Sequence, residues 1–361
     1  MDGKNEGPNC ICNDDELIFA NVIYRHGCRN IDRVFPNDPH KDEINWPGGI
    51  RQLRNEGKQQ QYKLGQYFRR RYGKLLGPKY SSNKVYVRSS DFDRTLMSAQ
   101  ANLCGLFAPT KDEVWNEELP LAKIWQPIPV HTVPQKDDYV IFGLKNAKYE
   151  AELKKFMSES PEIQTILTQH ADKFKLWSQM SGLDIVTFND VQQLYDTYNI
   201  ENWTNKPLSE DAKKEIEPNG VMEYVAKWHF KLESATPLLA RLRSGFLLKE
   251  ILEHFTQKIN KTLQPDRSIF FYSAHDSTIS YVLNSLGLFE LHFPPFASSL
   301  HFELYRTSKN EHYFQLFYRK SENEEILTPL NIPNCGEKCT LDQFYKVYSA
   351  IIPDESDFKC D

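Results

Sequence analysis

Residues 17–30 read LIFANVIYRHGCRN. From Leu17 to Tyr24 the run is apolar apart from Asn21. A short apolar run that stops at a loop reads as a buried strand. Arg25, His26 and Arg29 follow at once. Like charges this close repel, so a loop gains from them only when an anion sits between them.

The same punctuation recurs along the chain. Val85-Tyr86-Val87 is a second short strand, ended by Arg88-Ser89-Ser90, and Asp93 to Phe107 reads as a helix. Ser268 to Tyr272 is a third, running into Ser273-Ala274-His275-Asp276 and a helix through Leu288. A Pro- and Gly-rich irregular segment precedes a helical period over 50–72, with Leu53, Gly57, Leu64 and Phe68 on one face. Residues 299–306 and 312–319 alternate like an antiparallel pair. From about 146 to 235 the chain is rich in Lys, Glu and Gln with no clear strand. The fold class expected is α/β, with a central mixed, mainly parallel sheet flanked by helices. Residues 13–145 and 236–361 would form that core, and 146–235 an inserted helical cap.

The 361 residues carry a net charge of −5, which argues against general nucleic-acid binding. Arg69-Arg70-Arg71 ends a helical stretch and reads as a solvated C-terminus, where cations suit the dipole. No run approaches the ~20 apolar residues of a membrane span. Met1-Asp2-Gly3-Lys4 leads into a polar segment instead of an apolar leader. The chain therefore reads as cytosolic, or as the mature form of an exported protein. Seven cysteines leave at least one thiol unpaired or intermolecular. Cys335 and Cys339 read as a disulfide in preference to half of a zinc site, because Cys10 and Cys12 are spaced too tightly for the other half. Sequons at Asn202 and Asn260 tilt the reading towards export.

In an open α/β sheet, ligands bind at the carboxyl ends of the strands. If the three strands are neighbours, Arg25, Arg29, Arg88, His26 and His275 converge there. Guanidinium forks match phosphate oxygens in shape and charge. A neutral imidazole at His26 can attack phosphorus in line, with the arginines stabilising the equatorial oxygens. Asp276 can protonate the departing alcohol once an incoming phosphate dianion raises its pKa. No metal and no cofactor is called for.

Arg25-His26-Gly27-x-Arg29 and Tyr272-Ser273-Ala274-His275-Asp276, with Val87–Ser98 and Trp125-Gln126-Pro127-Ile128-Pro129-Val130-His131, resemble the histidine acid phosphatases, branch two of the histidine phosphatase superfamily. The likeness runs from about residue 17 to the end and is greatest to the animal prostatic and lysosomal type. It implies His26 as nucleophile, Asp276 as proton donor, and Arg25, Arg29, Arg88 and His275 as phosphate ligands. It also implies a cap over the site and a homodimer formed near Trp125 and His131. The location implied is secreted or lysosomal, and the substrate a small phosphomonoester, a phosphotyrosine or a lipid phosphate. Two positions depart from the signature. Ile31 stands in place of its final Pro, which should alter loop rigidity. Cys28 stands where relatives often have Asp, an exchange expected to shift pH optimum, affinity or substrate choice. The likeness leaves Cys360 with Cys10 or Cys12 as candidate partners.

Three rival readings compete. Asp91-Phe92-Asp93-Arg94-Thr95 is a D-x-D-x-T run of the kind used by Mg²⁺-dependent phosphatases with an aspartate nucleophile, but Arg88-Ser89-Ser90 separates it from the strand. Cys28 lacks the C-x5-R spacing of a cysteine phosphatase, since position 34 is Val34. The third is a secreted phosphate-ester-binding protein of the same fold with little turnover.

Overall fold

The computed structural model describes residues 15–358. Its strands are β1 (Glu16–Arg25), β2 (Val85–Ser90), β3 (His131–Val133), β4 (Ile269–Ala274), β5 (Ser299–Arg306) and β6 (His312–Arg319). They form one sheet in the order β3-β2-β4-β1-β5-β6. β1 to β4 run parallel, and β5 and β6 close one edge antiparallel. The helices are α1 (Asn55–Leu76), α2 (Asp93–Leu106), α3 (Tyr139–Phe142), α4 (Ala147–Glu159), α5 (Pro161–Gln169), α6 (Ala171–Ser181), α7 (Phe188–Trp203), α8 (Glu210–Glu215), α9 (Val221–Leu232), α10 (Pro237–Arg243), α11 (Gly245–Ile259), α12 (Asp276–Ser285) and α13 (Leu341–Tyr348). The mixed sheet with flanking helices is the one the sequence called for, and 299–306 and 312–319 are its antiparallel strands.

β1 lies between β4 and β5 and is packed by helices on both faces, which is why its sequence does not alternate in polarity. Its side chains still alternate in direction. Phe19 and Ile23 pack against Leu247, Ile251 and Phe255 of α11 and Ile279 of α12. Ala20, Val22 and Tyr24 meet Leu64, Phe68 and Tyr72 of α1 and Leu103 of α2. The helices between Ala147 and Leu232 bury a cluster of their own, including Ile163, Trp177, Val191, Leu194, Met222 and Trp228. Phe35, from the loop after β1, enters that cluster.

Arg71 departs from expectation. Instead of facing water it grips the buried Glu303 of β5 with both nitrogens, at 2.6 and 3.0 Å, while Tyr72 and Tyr305 donate to the same carboxylate. Its helical position faces the sheet, and the buried carboxylate requires a cation. β3 escaped the sequence because three residues are too few to show a period.

Loop 31–50 docks on α7. Ile31 packs with Trp46 and Ile200, and Asp38 meets Glu201, both buried. Burial and the charge of Asp38 push the Glu201 carboxyl up to about 9, so Glu201 keeps its proton at neutral pH. Between the ordinary value of 4.5 and about 9 the folded chain holds a proton that the unfolded chain has released. That contribution to stability is complete below 4.5 and is lost as pH rises towards 9. Glu201→Gln keeps a hydrogen bond and cannot ionise. Thermal melts across this range should show the variant gaining on the wild type as pH rises; a difference independent of pH would refute the retained proton on Glu201.

Candidate active site

β2, β4 and β1 are adjacent and parallel, so the loops after them meet at one edge. Arg25 lies in register with Ala274, and Ser89 with Ser273. α12 begins at Asp276 and α2 at Asp93 on the same edge, aiming two helix N-termini at it. Together they enclose a cavity of about 220 Å³ whose lining includes His26, Arg29, Arg94, His275 and Asp276.

His26 is buried, and the backbone carbonyl of Gly27 lies 2.7 Å from its Nδ1. A carbonyl only accepts, so the proton sits on Nδ1 and the lone pair on Nε2. Arg94 Nε donates to that Nε2 at 3.2 Å. Burial first, then Arg94 and Arg25, hold the imidazole pKa well below its ordinary value. His26 therefore stays neutral into the acid range. Gly27 allows the loop to press on the start of α1: a Cβ there would stand 2.2 Å from the Gly57 carbonyl oxygen.

Each arginine has its own counter-ion. Arg25 reaches Asp276 Oδ2 at 2.7 Å, donates to the Pro294 carbonyl and lies 3.9 Å over the Phe296 ring. Arg29 meets Asp196 of α7 at 2.9 Å. Arg94 has Asp32 at 3.4 Å, and burial and the neighbouring Arg29 push its pKa down to about 10. Burial opposes ionisation of Asp276, but Arg25, Arg29 and His275 outweigh it and hold the carboxyl below the usual range. His275 Nε2 shares a hydrogen bond with Ser90 Oγ at 2.8 Å, fixing its ring beside His26 at a centroid distance of 5.6 Å.

Arg88 is placed elsewhere. Its guanidinium meets Asp138 at 2.5 Å and Glu250 of α11 at 3.6 Å, and it does not line the cavity. In β2 it shares a face with Tyr272, its register partner on β4, whose hydroxyl donates to the same Glu250. The arginine that reaches His26 is Arg94, in the first turn of α2. The sequence signal that points to it is position: it follows the strand, a turn and a helix start. Asp32 and Asp196 also went unread: Asp32 follows the signature without belonging to it, and Asp196 stands beside no motif. Asp91 is exposed, and Asp93 accepts from Gln52 Nε2, so the D-x-D-x-T carboxylates do not line the cavity.

Cys28 is buried, and burial pushes its thiol up to about 12, which leaves it unreactive. Cys335 and Cys339 form a disulfide with Cα atoms 5.1 Å apart. Cys10, Cys12 and Cys360 lie outside the described residues. Asn202 and Asn260 are exposed at the C-terminal ends of α7 and α11. Trp125 is half-buried and His131 exposed, at the β3 edge of the sheet and outside the cavity.

The family model of the histidine phosphatase superfamily (branch 2) matches residues 30–319. Prostatic acid phosphatase of Rattus norvegicus is 34% identical over 351 residues, 96% of this chain and 89% of that protein. Lysosomal acid phosphatase of Homo sapiens is 32% identical over 347 residues, 95% and 80% of the two chains. Among solved structures, the Hafnia alvei phytase in complex with tartrate matches with a TM-score of 0.69 at 18% identity, covering 94% of this chain and 98% of that one, a likeness of fold. The chain belongs to the histidine phosphatase superfamily, branch 2.

Arg94 and Arg88 should therefore separate in mutagenesis. Arg94→Ala is expected to lower kcat/KM for a phosphate monoester by about 10²–10³-fold, the scale of losing one preorganised donor at developing charge. Arg88→Met should lower the melting temperature and leave kcat nearly unchanged. Steady-state kinetics alongside thermal melts checks both; the opposite pattern would return Arg88 to the site.

Proposed function

We propose that this member of the histidine phosphatase superfamily is an acid phosphatase that hydrolyses phosphate monoesters through a phosphohistidine on His26. The observation that carries the reading is the pairing of Nδ1 with the Gly27 carbonyl, which turns the Nε2 lone pair towards Arg94 in a cavity ringed by guanidinium groups.

The phosphoryl group binds between Arg25, Arg29, Arg94 and His275, taking over the Arg94 donor that faces Nε2 in the free protein. His26 Nε2 forms the P–N bond as the P–O bond to the alcohol breaks. Charge on the equatorial oxygens falls on the arginines. Asp276 donates its proton to the leaving oxygen. Its carboxylate then takes a proton from water, which attacks phosphorus and releases phosphate and neutral His26. The dianion neutralises the two arginines that depress the Asp276 pKa, so substrate binding itself moves Asp276 towards its acid form. Residues 146–235 act as the cap, with α7 carrying Asp196 to Arg29. The exposed Leu121 and Ile124, next to Trp125 and the edge strand β3, favour a homodimer through that face. The disulfide, the two exposed sequons and the prostatic and lysosomal relatives favour a secreted or lysosomal location.

A pH profile tests the assignment. Rising pH removes the Asp276 proton, whereas falling pH leaves His26 neutral until well below its ordinary value. Hydrolysis of p-nitrophenyl phosphate should peak in the acid range, resist EDTA and vanish in His26→Ala. Asp276→Asn should slow alkyl phosphates more than p-nitrophenyl phosphate, whose leaving group needs little protonation. Activity lost to EDTA and kept in His26→Ala would move the chemistry to Asp91. An inactive wild type that still binds phosphate esters would make it a binding protein.

A further inference from the structure

The cavity at His26 has a second wall that the phosphoryl chemistry leaves unused. Lys145, Glu233, Arg243 and Tyr281 build it, drawn from the segment after α3, the end of α9, and from α10 and α12. The Glu233 carboxylate is the hub. Arg243 Nη2 lies 2.9 Å from it and Lys145 Nζ 3.3 Å, and the Tyr281 hydroxyl donates to it at 2.7 Å. Arg243 is also pinned through Nη1 to the Phe142 carbonyl and lies 4.7 Å over the Tyr281 ring. Burial opposes the charge on Glu233, but Arg243, His229 and Lys145 hold its pKa at about 2. The hub is thus a permanent anion.

The charge balance differs between the two walls. On the phosphate side Arg25, Arg29 and Arg94 each face one carboxylate. On the second wall two cations share one carboxylate, which leaves one positive charge over. The adjoining grooves make no net change: one adds Lys154 with Glu150, the other Lys136 with Asp137, and Asp138 there is paired with Arg88. Arg243 is buried and fixed, whereas the Lys145 side chain is 50% exposed. Lys145 is therefore the member able to turn to a ligand. A cavity of 220 Å³ holds about seven waters' worth of liquid volume, enough for a phosphate and a few carbon atoms. Lys145 lines this cavity together with His26, so a small ester seated at His26 has its carbon end within reach of Lys145. One surplus positive charge beside a fixed carboxylate balances a monoanion and leaves a second dianion only half neutralised.

We propose that Lys145, backed by Glu233 and Arg243, is a carboxylate-recognising subsite, and that the preferred substrates are phosphate monoesters of small hydroxy acids. This rests on the phosphatase reading above. The test compares 3-phosphoglycerate with glycerol 3-phosphate, which differ by a carboxylate in place of a hydroxymethyl group. The wild type should favour the first by about tenfold in kcat/KM, carried by KM, the scale of one charge-assisted hydrogen bond. Lys145→Met, which keeps the apolar stem, should bring the ratio to near one, and Lys145→Glu should reverse it. Equal values in the wild type, or a preference that survives in Lys145→Met, would overturn the subsite. The same two esters titrated calorimetrically into His26→Ala give a ratio of Kd values independent of turnover. Failure to hydrolyse either ester would count against the phosphatase reading, and the Kd ratio would still decide the subsite.

Discussion

Three guanidinium groups crowded at the ends of parallel strands are the constraint around which the site is arranged. Arg25, Arg29 and Arg94 lie near enough that each lowers the pKa of His26, and Arg29 lowers that of Arg94. Each is balanced by a carboxylate from a different part of the chain: Asp276 at a helix start, Asp196 on α7, Asp32 in the loop after β1. The helical layer is thus tied to the sheet by charge as well as by Phe35 and Ile31. Taking away one partner of a buried pair leaves an uncompensated ion, which costs about 3–5 kcal/mol. α7 therefore cannot shift far without exposing Arg29 to that penalty. An anion between the arginines relieves the crowding and takes over from Asp276 as the counter-ion of Arg25.

The same charges set opposite conditions for two groups. Burial and cations keep His26 unprotonated, which preserves its lone pair. The cations also keep Asp276 ionised, which withholds its proton. A ligand-free site of this kind holds a ready nucleophile and an unready acid. A bound phosphate dianion that cancels Arg25 and Arg29 reverses the second condition, because burial then favours the acid form of Asp276, while the same burial, the largest cause at His26, keeps the imidazole neutral. Under the proposed mechanism, proton donation is thereby coupled to occupancy and not to bulk pH alone.

Much of this was legible in the sequence, for a physical reason. Buried parallel strands announce themselves by apolar runs, and their ends by the first charges after them, so β1, β2 and β4 could be marked with their charged ends, while their adjacency rests on the sheet order. What was not legible depended on direction or distance. Arg88 ends a strand as Arg25 does, yet its side chain faces α11 and finds Asp138 and Glu250. Arg94 looked like an ordinary helix residue, but the turn over 91–92 brings it back across the strand ends. Arg71 looked solvated because the carboxylate that buries it, Glu303, lies on β5, far away in sequence. Lys145, Glu233 and Arg243 meet only through the packing of three separate segments, and no local pattern marks them.

The departures at Cys28 and Ile31 are explained by how the loop after β1 is held. A proline at position 31 would fix one φ angle. Here the loop is held from outside. Asn30 N–H donates to the Gln52 carbonyl, Arg51 N–H to Ile31 and Arg54 N–H to Cys28. The Asn30 amide donates to the carbonyls of Pro47 and Gly49 and accepts from Arg54. Ile31, fully buried against Trp46 and Ile200, adds apolar packing that binds the loop to α7. Cys28 is buried where the loop backbone presses on α1, its carbonyl oxygen 2.2 Å from where any Cβ on Gly57 would stand. A charged side chain at position 28 would require a partner in this packing, and a small neutral thiol requires none. Rigidity that a proline would supply through the chain is supplied here by hydrogen bonds and packing around it, and His26 keeps its aim.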